Sequence, residues 1–446
     1  MLLFLFCFVI VDVTERSLTK TICIMYKYVH YRFIRIIYNY EDILTKAEII
    51  SAAFRVWGRN LYRKTSLSKL AGELKVSKPA LYRHFASKKA LTAAMTEHFL
   101  DDFANSVKSD FEQALKTSDV DDGVSTIIRC ISSYFNQNVY ALIFSLINIY
   151  DQNLNKYTIS DSLKSRGADM GTLQAVLEKK YNCDQPLLRL IFATLTFKMM
   201  YFHKSNEAME KPLSENEVQK INSIINQTIK YGLGYSNGKA DINFQKLEKY
   251  VDESKLDSEP EMFFKAVAEA VAQAGPWDVT MEMVAKKLGM SKSSLYGHYK
   301  NKKDMLRRLF MSEFKRIIAF ACLGIKFSAN GAEQLYLGIY SIAVYLRSRP
   351  EILITLDWIR MRKLDLGKPE KKIEFFRLFE DIDIEPIRDA PEDDKQRVSH
   401  WIIFLLINIL THPIEETGKI PDSHTQNNCI RLLYRFITLG LGGFIR

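Results

Sequence analysis

Ser77–Lys89 reads SKPALYRHFASKK, and Ser291–Lys303 reads SKSSLYGHYKNKK. Seven of the 13 positions are identical: Ser77/Ser291, Lys78/Lys292, Leu81/Leu295, Tyr82/Tyr296, His84/His298, Lys88/Lys302 and Lys89/Lys303. Unrelated windows of this length would share about one, and self-similarity at a fixed offset marks a repeated structural unit. The offset of 214 residues continues upstream without a gap, pairing Ala52 with Ala266, Ala71 with Ala285 and Leu74 with Leu288. It falls to 211 at Tyr134 and Tyr345. It falls again to 208 where Ile229, Gly232, Leu233 and Gly234 meet Ile437, Gly440, Leu441 and Gly442. A few shortened loops account for the drift. The chain of 446 residues therefore reads as one unit of about 200 residues written twice, a usual domain size. The copies run from about Glu41 to Ala240 and from about Glu261 to Arg446.

Within each copy the first 60 residues carry short helical patterns. Ile49, Ala52, Ala53 and Val56 recur at helical spacing. Ser66 is placed to cap a second helix with Leu67, Leu70, Ala71 and Leu74 inward. A break at Lys75-Val76-Ser77 precedes a very short third helix with Pro79 in its first turn, where a missing N–H costs little. Ser87 then caps a fourth helix. In the second copy Thr280 starts the second helix, Gly289 makes the turn, and Asn301 with Asp304 has the spacing of a capping box. Two short helices joined by a tight turn, after a supporting helix, make a helix-turn-helix.

The charge follows the same division. The whole chain carries a net charge of +10. Residues 41–100 hold +6 and residues 255–316 hold +4, while 101–254 hold −3 and 317–446 are neutral; residues 1–40 add +3. Two basic blocks, each followed by a neutral or acidic one, point to two nucleic-acid modules.

At Leu81-Tyr82-Arg83-His84-Phe85…Lys88 and Leu295-Tyr296-Gly297-His298-Tyr299…Lys302 the sequence resembles the TetR family of transcriptional regulators. The likeness covers about 60 residues of each copy. It implies an all-α fold: two tandem TetR-like units, each an N-terminal helix-turn-helix head and a helical-bundle body for ligand binding and dimerisation. The expected domains are heads at 41–100 and 261–316, bodies at 101–240 and 317–446, and a charged linker or fraying helix at 241–260. The implied function is a cytoplasmic, sequence-specific DNA-binding regulator, a ligand-responsive repressor. Its partners would be a double-stranded DNA operator and an unknown small-molecule effector. It would assemble as an intramolecular pseudo-dimer or as a homodimer. A recognition helix needs short polar or basic side chains for base edges and flanking anchors for phosphates. The first head offers Ser77, Lys78, Pro79, Tyr82, Arg83, His84 and Lys88. The second offers Ser291, Lys292, Ser293, Ser294, Tyr296, His298 and Lys302. Leu81 and Leu295 read as core; Tyr82 and Tyr296 read either as phosphate contacts or as packing under the third helix.

The departures between copies carry information. Lys75 stands where the second copy has Gly289, so a positive φ there would strain the first turn. Gly297 replaces Arg83, removing a base or phosphate contact and weakening the helix. Pro79 and Ala80 face Ser293 and Ser294. Two unlike heads should prefer different half-sites. A competing reading is a ligand- or partner-binding helical protein in which one head, most readily the second, no longer selects DNA.

The bodies are rich in apolar helical patterns, as in Tyr134–Tyr150, Arg189–His203, Leu335–Arg347 and His400–Leu410. Lys198 and His203 in an aromatic stretch read as core or helix surface before pocket lining, as do Asp357, Trp358 and Arg360, so no effector residues are assigned. Gly232-Leu233-Gly234…Gly238-Lys239 lacks the spacing and the Ser or Thr of a phosphate loop and reads as a helix end. Six cysteines, none within three residues of another, give no local zinc or redox pair; reduced cytosolic thiols are the expectation. No nucleophile–base set or carboxylate dyad has a specific spacing, so no enzyme, cofactor or metal is expected. Leu2–Val11 is too short to cross a membrane and no membrane role is expected. Residues 1–40 belong to neither copy, and a natural start nearer Met25 is the expectation there.

Overall fold

The computed structural model describes residues 44–59, 66–150, 156–205, 213–236, 238–252, 262–349, 352–353, 377–417 and 422–445. The readings made for residues 1–40, His203, Asp357, Trp358 and Arg360 lie outside the side chains described. The protein is all-α. Copy one supplies α1 (Lys46–Gly58), α2 (Leu67–Leu74), α3 (Lys78–His84), α4 (Lys88–Lys116), α5 (Val120–Gln137), α6 (Val139–Tyr150), α7 (Lys156–Ser165), α8 (Gly171–Leu177), α9 (Gln185–Ser205) and α10 (Glu215–Tyr231). Then come α11 (Phe244–Asp252), α12 (Met262–Asp278), α13 (Met281–Lys287), α14 (Lys292–His298), α15 (Lys302–Ile325), α16 (Gly331–Arg347), α17 (Glu392–Thr417) and α18 (Ser423–Leu439). Among the described residues the only β pairing is an isolated antiparallel bridge, Tyr181 with Ile445.

The helices gather into two compact units whose border does not follow the repeat. One holds the chain up to Ser106 together with Asn138–Ala168; the other holds Val107–Gln137 and Asp169–Arg446. One crossing of the border lies at Asn138, where the apolar helical pattern Tyr134–Tyr150 breaks. There α5 ends, and the Ala141 N–H turns back to the Asn138 carbonyl at 2.9 Å. The chain then enters the first unit, where α6 packs on α1. Phe144 lies edge-on to Phe54 at 4.9 Å, and Gly58 is so close to the Tyr140 ring that a Cβ would sit 2.6 Å from it. Arg166, after α7, bonds Asp101 and Glu97 of α4, both at 2.6 Å.

In the second unit the last two helices of each copy pack together. Trp401 of α17 is buried and donates to Thr194 of α9 at 3.1 Å, and Phe197 meets Phe404 at 5.3 Å. At the ends of α10 and α18 the backbones touch. Gly232 and Gly440 both cap their helices with positive φ, 59° and 57°. A Cβ on Gly232 would lie 2.5 Å from the Ile437 oxygen and 2.6 Å from the Gly440 nitrogen. A Cβ on Gly440 would lie 2.5 Å from both the Gly232 nitrogen and the Ile229 oxygen. These are equivalent positions of the repeat (232 and 440, 229 and 437), so the contact is reciprocal in the manner of a two-fold interface. The Leu233 N–H donates to the Ile437 carbonyl at 2.7 Å. Beyond α18, the Asn182 N–H donates to the Phe444 carbonyl at 2.8 Å, so the C-terminal turn rests on copy one.

The stretch read as a linker contains a packed helix. Leu247 and Val251 of α11 are buried, and Glu248 and Asp252, one turn apart, take the polar side. Glu248 accepts a bidentate pair from Arg431, at 2.7 and 2.6 Å, and a bond from the Tyr336 hydroxyl at 2.5 Å. Asp252 accepts from Tyr340 at 3.0 Å. The acidic run looked like a solvated tether because its partners lie about 90 to 180 residues away, on α16 and α18. A second buried charge set joins the helix that leaves the second head to its body. Glu313 of α15 accepts from Arg349 at 3.1 Å and from the Tyr345 hydroxyl. In copy one, Asp121 of α5 accepts from Tyr181 at 2.6 Å and Lys180 at 2.9 Å, with Lys230 at 3.2 Å.

Replacing Gly232 or Gly440 with Ala forces a side chain into backbone at a positive φ and should destabilise by about 2–4 kcal/mol, read by urea unfolding. Burial opposes charge on Asp121, but Tyr181, Lys180 and Lys230 outweigh it and hold its carboxyl down to about 2. Its folded pKa is depressed, so the stability it contributes is present above pH 4 and lost as pH falls towards 2. Asp121→Asn should remove about 1–2 kcal/mol at pH 7 and flatten the acid limb of the stability curve.

Candidate DNA interface

Each head is built by caps and short apolar faces. In the first, Thr45 and Glu48 form a reciprocal capping box on α1, and Ile49, Ala52, Ala53, Val56 and Trp57 are buried. Ser66 caps α2 through the Ser68 and Lys69 N–H groups. Ser77 caps α3 by accepting from Ala80 at 3.2 Å, with Pro79 in the first turn. Ser87 caps α4 at the Ala90 N–H, 3.1 Å. The second head repeats the scheme: Thr280 caps α13, Ser291 caps α14 at the Ser294 N–H, 3.0 Å, and Asn301 caps α15 at the Asp304 N–H, 2.9 Å. The return bond of that last box is displaced by one residue: Asp304 accepts from Lys300 instead of the cap, at 3.1 Å.

The turns inside the two motifs have the same geometry despite different residues. The Val76 N–H reaches back to the Ala71 carbonyl at 3.0 Å, and the Met290 N–H to the Ala285 carbonyl at 3.0 Å. Both close a helix end through a left-handed residue. In the second head this is Gly289, φ 66°; in the first it is Lys75, φ 55°, the sole non-glycine with positive φ among the described residues.

Each third helix is fixed by a leucine, joined by Ala80 in the first head, and presents most of its other residues outward. Leu81 is 1% and Leu295 0% exposed, whereas Tyr82 and Tyr296 are each 46% exposed. The tyrosines therefore do not pack beneath their helices. Phe85 and Tyr299 close the C-terminal end from below. Ser77, Lys78, Pro79, Arg83 and Lys88 are exposed and His84 is half-buried; Ser291, Lys292, Ser293, Ser294 and His298 are exposed and Lys302 is half-buried. The candidate residues of both heads are thus exposed or half-buried, none of them buried.

The faces differ beyond Arg83 and Gly297. Nothing lies within 4 Å of a Cβ built on Gly297, so the second helix has a bare patch on its outer side. Lys292 faces Glu282 at 4.0 Å, and position 282 corresponds to Ser68 in the first copy. The Ser291 and Ser293 hydroxyls bond each other at 2.9 Å. His298 leans on the Phe263 ring at 5.3 Å, where the first copy has Ile49. Glu282 and Phe263 were not singled out from the sequence. Both positions differ between the copies, Glu282 facing Ser68 and Phe263 facing Ile49 in the repeat, which is the signal the sequence carries for them.

Lys75→Gly should relieve the left-handed strain and stabilise the first head by about 0.5–1 kcal/mol, whereas Gly289→Ala should destabilise the second by a similar amount. Thermal unfolding of the full-length variants reads both.

The family profile of the bacterial regulatory proteins, tetR family, matches twice, over residues 49–95 and 264–309. The matches run from the first helix of each head into its fourth, α1 to α4 and α12 to α15. No curated protein matches the chain. The duplicated motif, the shared turn geometry and the two profile matches agree: the chain carries two copies of the tetR family's DNA-binding domain in tandem.

Proposed function

We propose that the chain is a ligand-responsive repressor that reads DNA as a pseudo-dimer made within one polypeptide, its two heads choosing unlike half-sites. The observation that carries this reading is the reciprocal contact of Gly232 with Gly440, with α9 and α10 packed against α17 and α18. Each copy's last two helices pack on the other copy's, which supports an interface closed within one chain. Two half-sites spaced by one or more helical turns suit two heads. An effector that binds a body better in one arrangement of the heads than in another would shift the population off DNA. The cytoplasm is the compartment this role requires.

Light-scattering mass combined with a footprint tests the assembly. A monomer protecting one bipartite site is the expected result; a dimer protecting two would replace the pseudo-dimer with four heads on a homodimer. Arg83→Ala should relax base preference in one half-site by about 1–3 kcal/mol. Lys88→Ala and Lys302→Ala should each weaken binding to all sequences and lower the salt slope by about 1. Gly297→Arg should tighten binding to the second half-site.

A second reading has the second head contributing little selection, and Gly297 and the Glu282–Lys292 pair favour it. Tyr296→Ala with Lys292→Ala in the full chain separates the two. Unchanged selection from a random DNA pool supports the degenerate head, and loss of one half-site from the selected consensus supports two working heads.

A further inference from the structure

Beside the Trp401–Thr194 hydrogen bond, the packing of α9 against α17 holds a lysine whose position in the other copy is a leucine. Lys198 of α9 is half-buried with its ammonium 5.4 Å from the centre of the Trp401 ring. Among the described residues no carboxylate or carbonyl accepts from it. One turn further along α9, Tyr201 lies under the Arg397 guanidinium at 5.7 Å. Arg397 pairs with Asp394 through Nη1 at 3.2 Å, but its Nε is shielded from solvent and has no acceptor. Phe197 stands between Tyr201 at 6.0 Å and Phe404 at 5.3 Å. Burial and the nearby Arg397 charge push the Lys198 ammonium down to about 8, with Asp394 pulling the other way.

At the 208-residue offset of this region, Lys198 corresponds to Leu406, Trp401 to Ala193 and Tyr201 to Ile409. Leu406, Ala193 and Ile409 are all buried. Arg397, by contrast, has Arg189 as its counterpart, so the asymmetry lies at Lys198: an apolar leucine closes the bundle at the related position, and packing alone does not call for a lysine here. What the Lys198 side offers is two cationic groups with unanswered donors, held over aromatic faces. A carboxylate accepts from both an ammonium and a guanidinium, and a flat apolar body stacks on tyrosine, tryptophan and phenylalanine rings. A few convergent polar groups in an apolar lining are the usual make-up of a small-molecule site.

We propose that Lys198 and Arg397, with Tyr201, Phe197 and Trp401, bind an organic anion with a flat apolar body, of the aromatic carboxylate class, at the junction of the two copies. The inference rests on the bundle's residues and stands apart from the DNA reading. Across the pseudo-axis Arg397 has Arg189 as its counterpart but Lys198 has Leu406, so only one side offers both cations and one such molecule binds per chain.

The test is calorimetric titration of the full chain with 2-naphthoate and, separately, with 2-naphthylmethylamine, which has a similar shape and the opposite charge. Saturable binding of the acid at one per chain, none of the amine, and a loss of at least about tenfold in affinity in both Lys198→Met and Arg397→Gln support the site. Lys198→Met removes a cation held partly out of water, so its thermal midpoint should hold or rise; weakened binding in a chain at least as stable as the parent is not a folding defect. Equal binding of acid and amine, unchanged affinity in both variants, or no saturable binding of the acid at millimolar concentration overturns the proposal.

Discussion

Two backbones meet at Gly232 and Gly440, and the arrangement of the second unit depends on that approach. No side chain fits between them: each Cβ would lie within 2.6 Å of the other strand's polar backbone atoms. Both residues are also the left-handed stops of their helices, so one residue type meets a conformational demand and a steric one at once. With α10 and α18 fixed there, Tyr235 can donate its backbone N–H to Thr438 at 3.2 Å, and Trp401 can be buried against Thr194. Larger residues at either position would part the helices and open the apolar seam along their length.

Three carboxylates inside the second unit are each answered by several donors. Glu248, Glu313 and Asp121 all sit below the surface with guanidinium, ammonium or tyrosine donors on two or more sides. Breaking such a set leaves a buried charge without a partner, which costs more than the intact set contributes. These sets occur where elements distant in sequence must meet in one way: α11 on α16 and α18, α15 on the end of α16, and α5 on the loop after α8. A purely apolar contact would tolerate sliding at each of these places; a bidentate pair such as Glu248 with Arg431 does not.

The duplicated stretch Ser77–Lys89 and Ser291–Lys303 made the heads legible, because caps, a leucine and a turn are local and the second copy supplied a control. The strain at Lys75 could be read from the glycine opposite it. The bodies were legible only as helical. The break at Asn138 was marked only by the polar run Asn136-Gln137-Asn138 inside the apolar pattern, which the helical reading of Tyr134–Tyr150 passed over. The acidic residues of α11 looked solvated because their partners are tyrosines and arginines far along the chain, which no periodicity reveals. Gly232 and Gly440 were recognised as helix ends, while their mutual contact, a tertiary fact, was not. At the candidate interface, the outward face of each third helix followed from its buried leucine. The counter-charge of Glu282 on Lys292 arose from a neighbouring helix and escaped notice.

The docking of α11 has a further effect on how the chain responds to its own abundance. When two subunits come from separate molecules, dilution splits them, and the amount of assembled species rises with the square of a low concentration. Here the copies are joined through a helix held on the second body by Glu248 and Asp252, so their encounter is unimolecular and its effective concentration is set by the connection. For the proposed pseudo-dimer, assembly would then be complete at a few molecules per cell, and occupancy of a target would scale with the first power of expression. Two copies in one chain are also free to drift apart in sequence without ever forming the mixed or like-with-like pairs that separate subunits would produce.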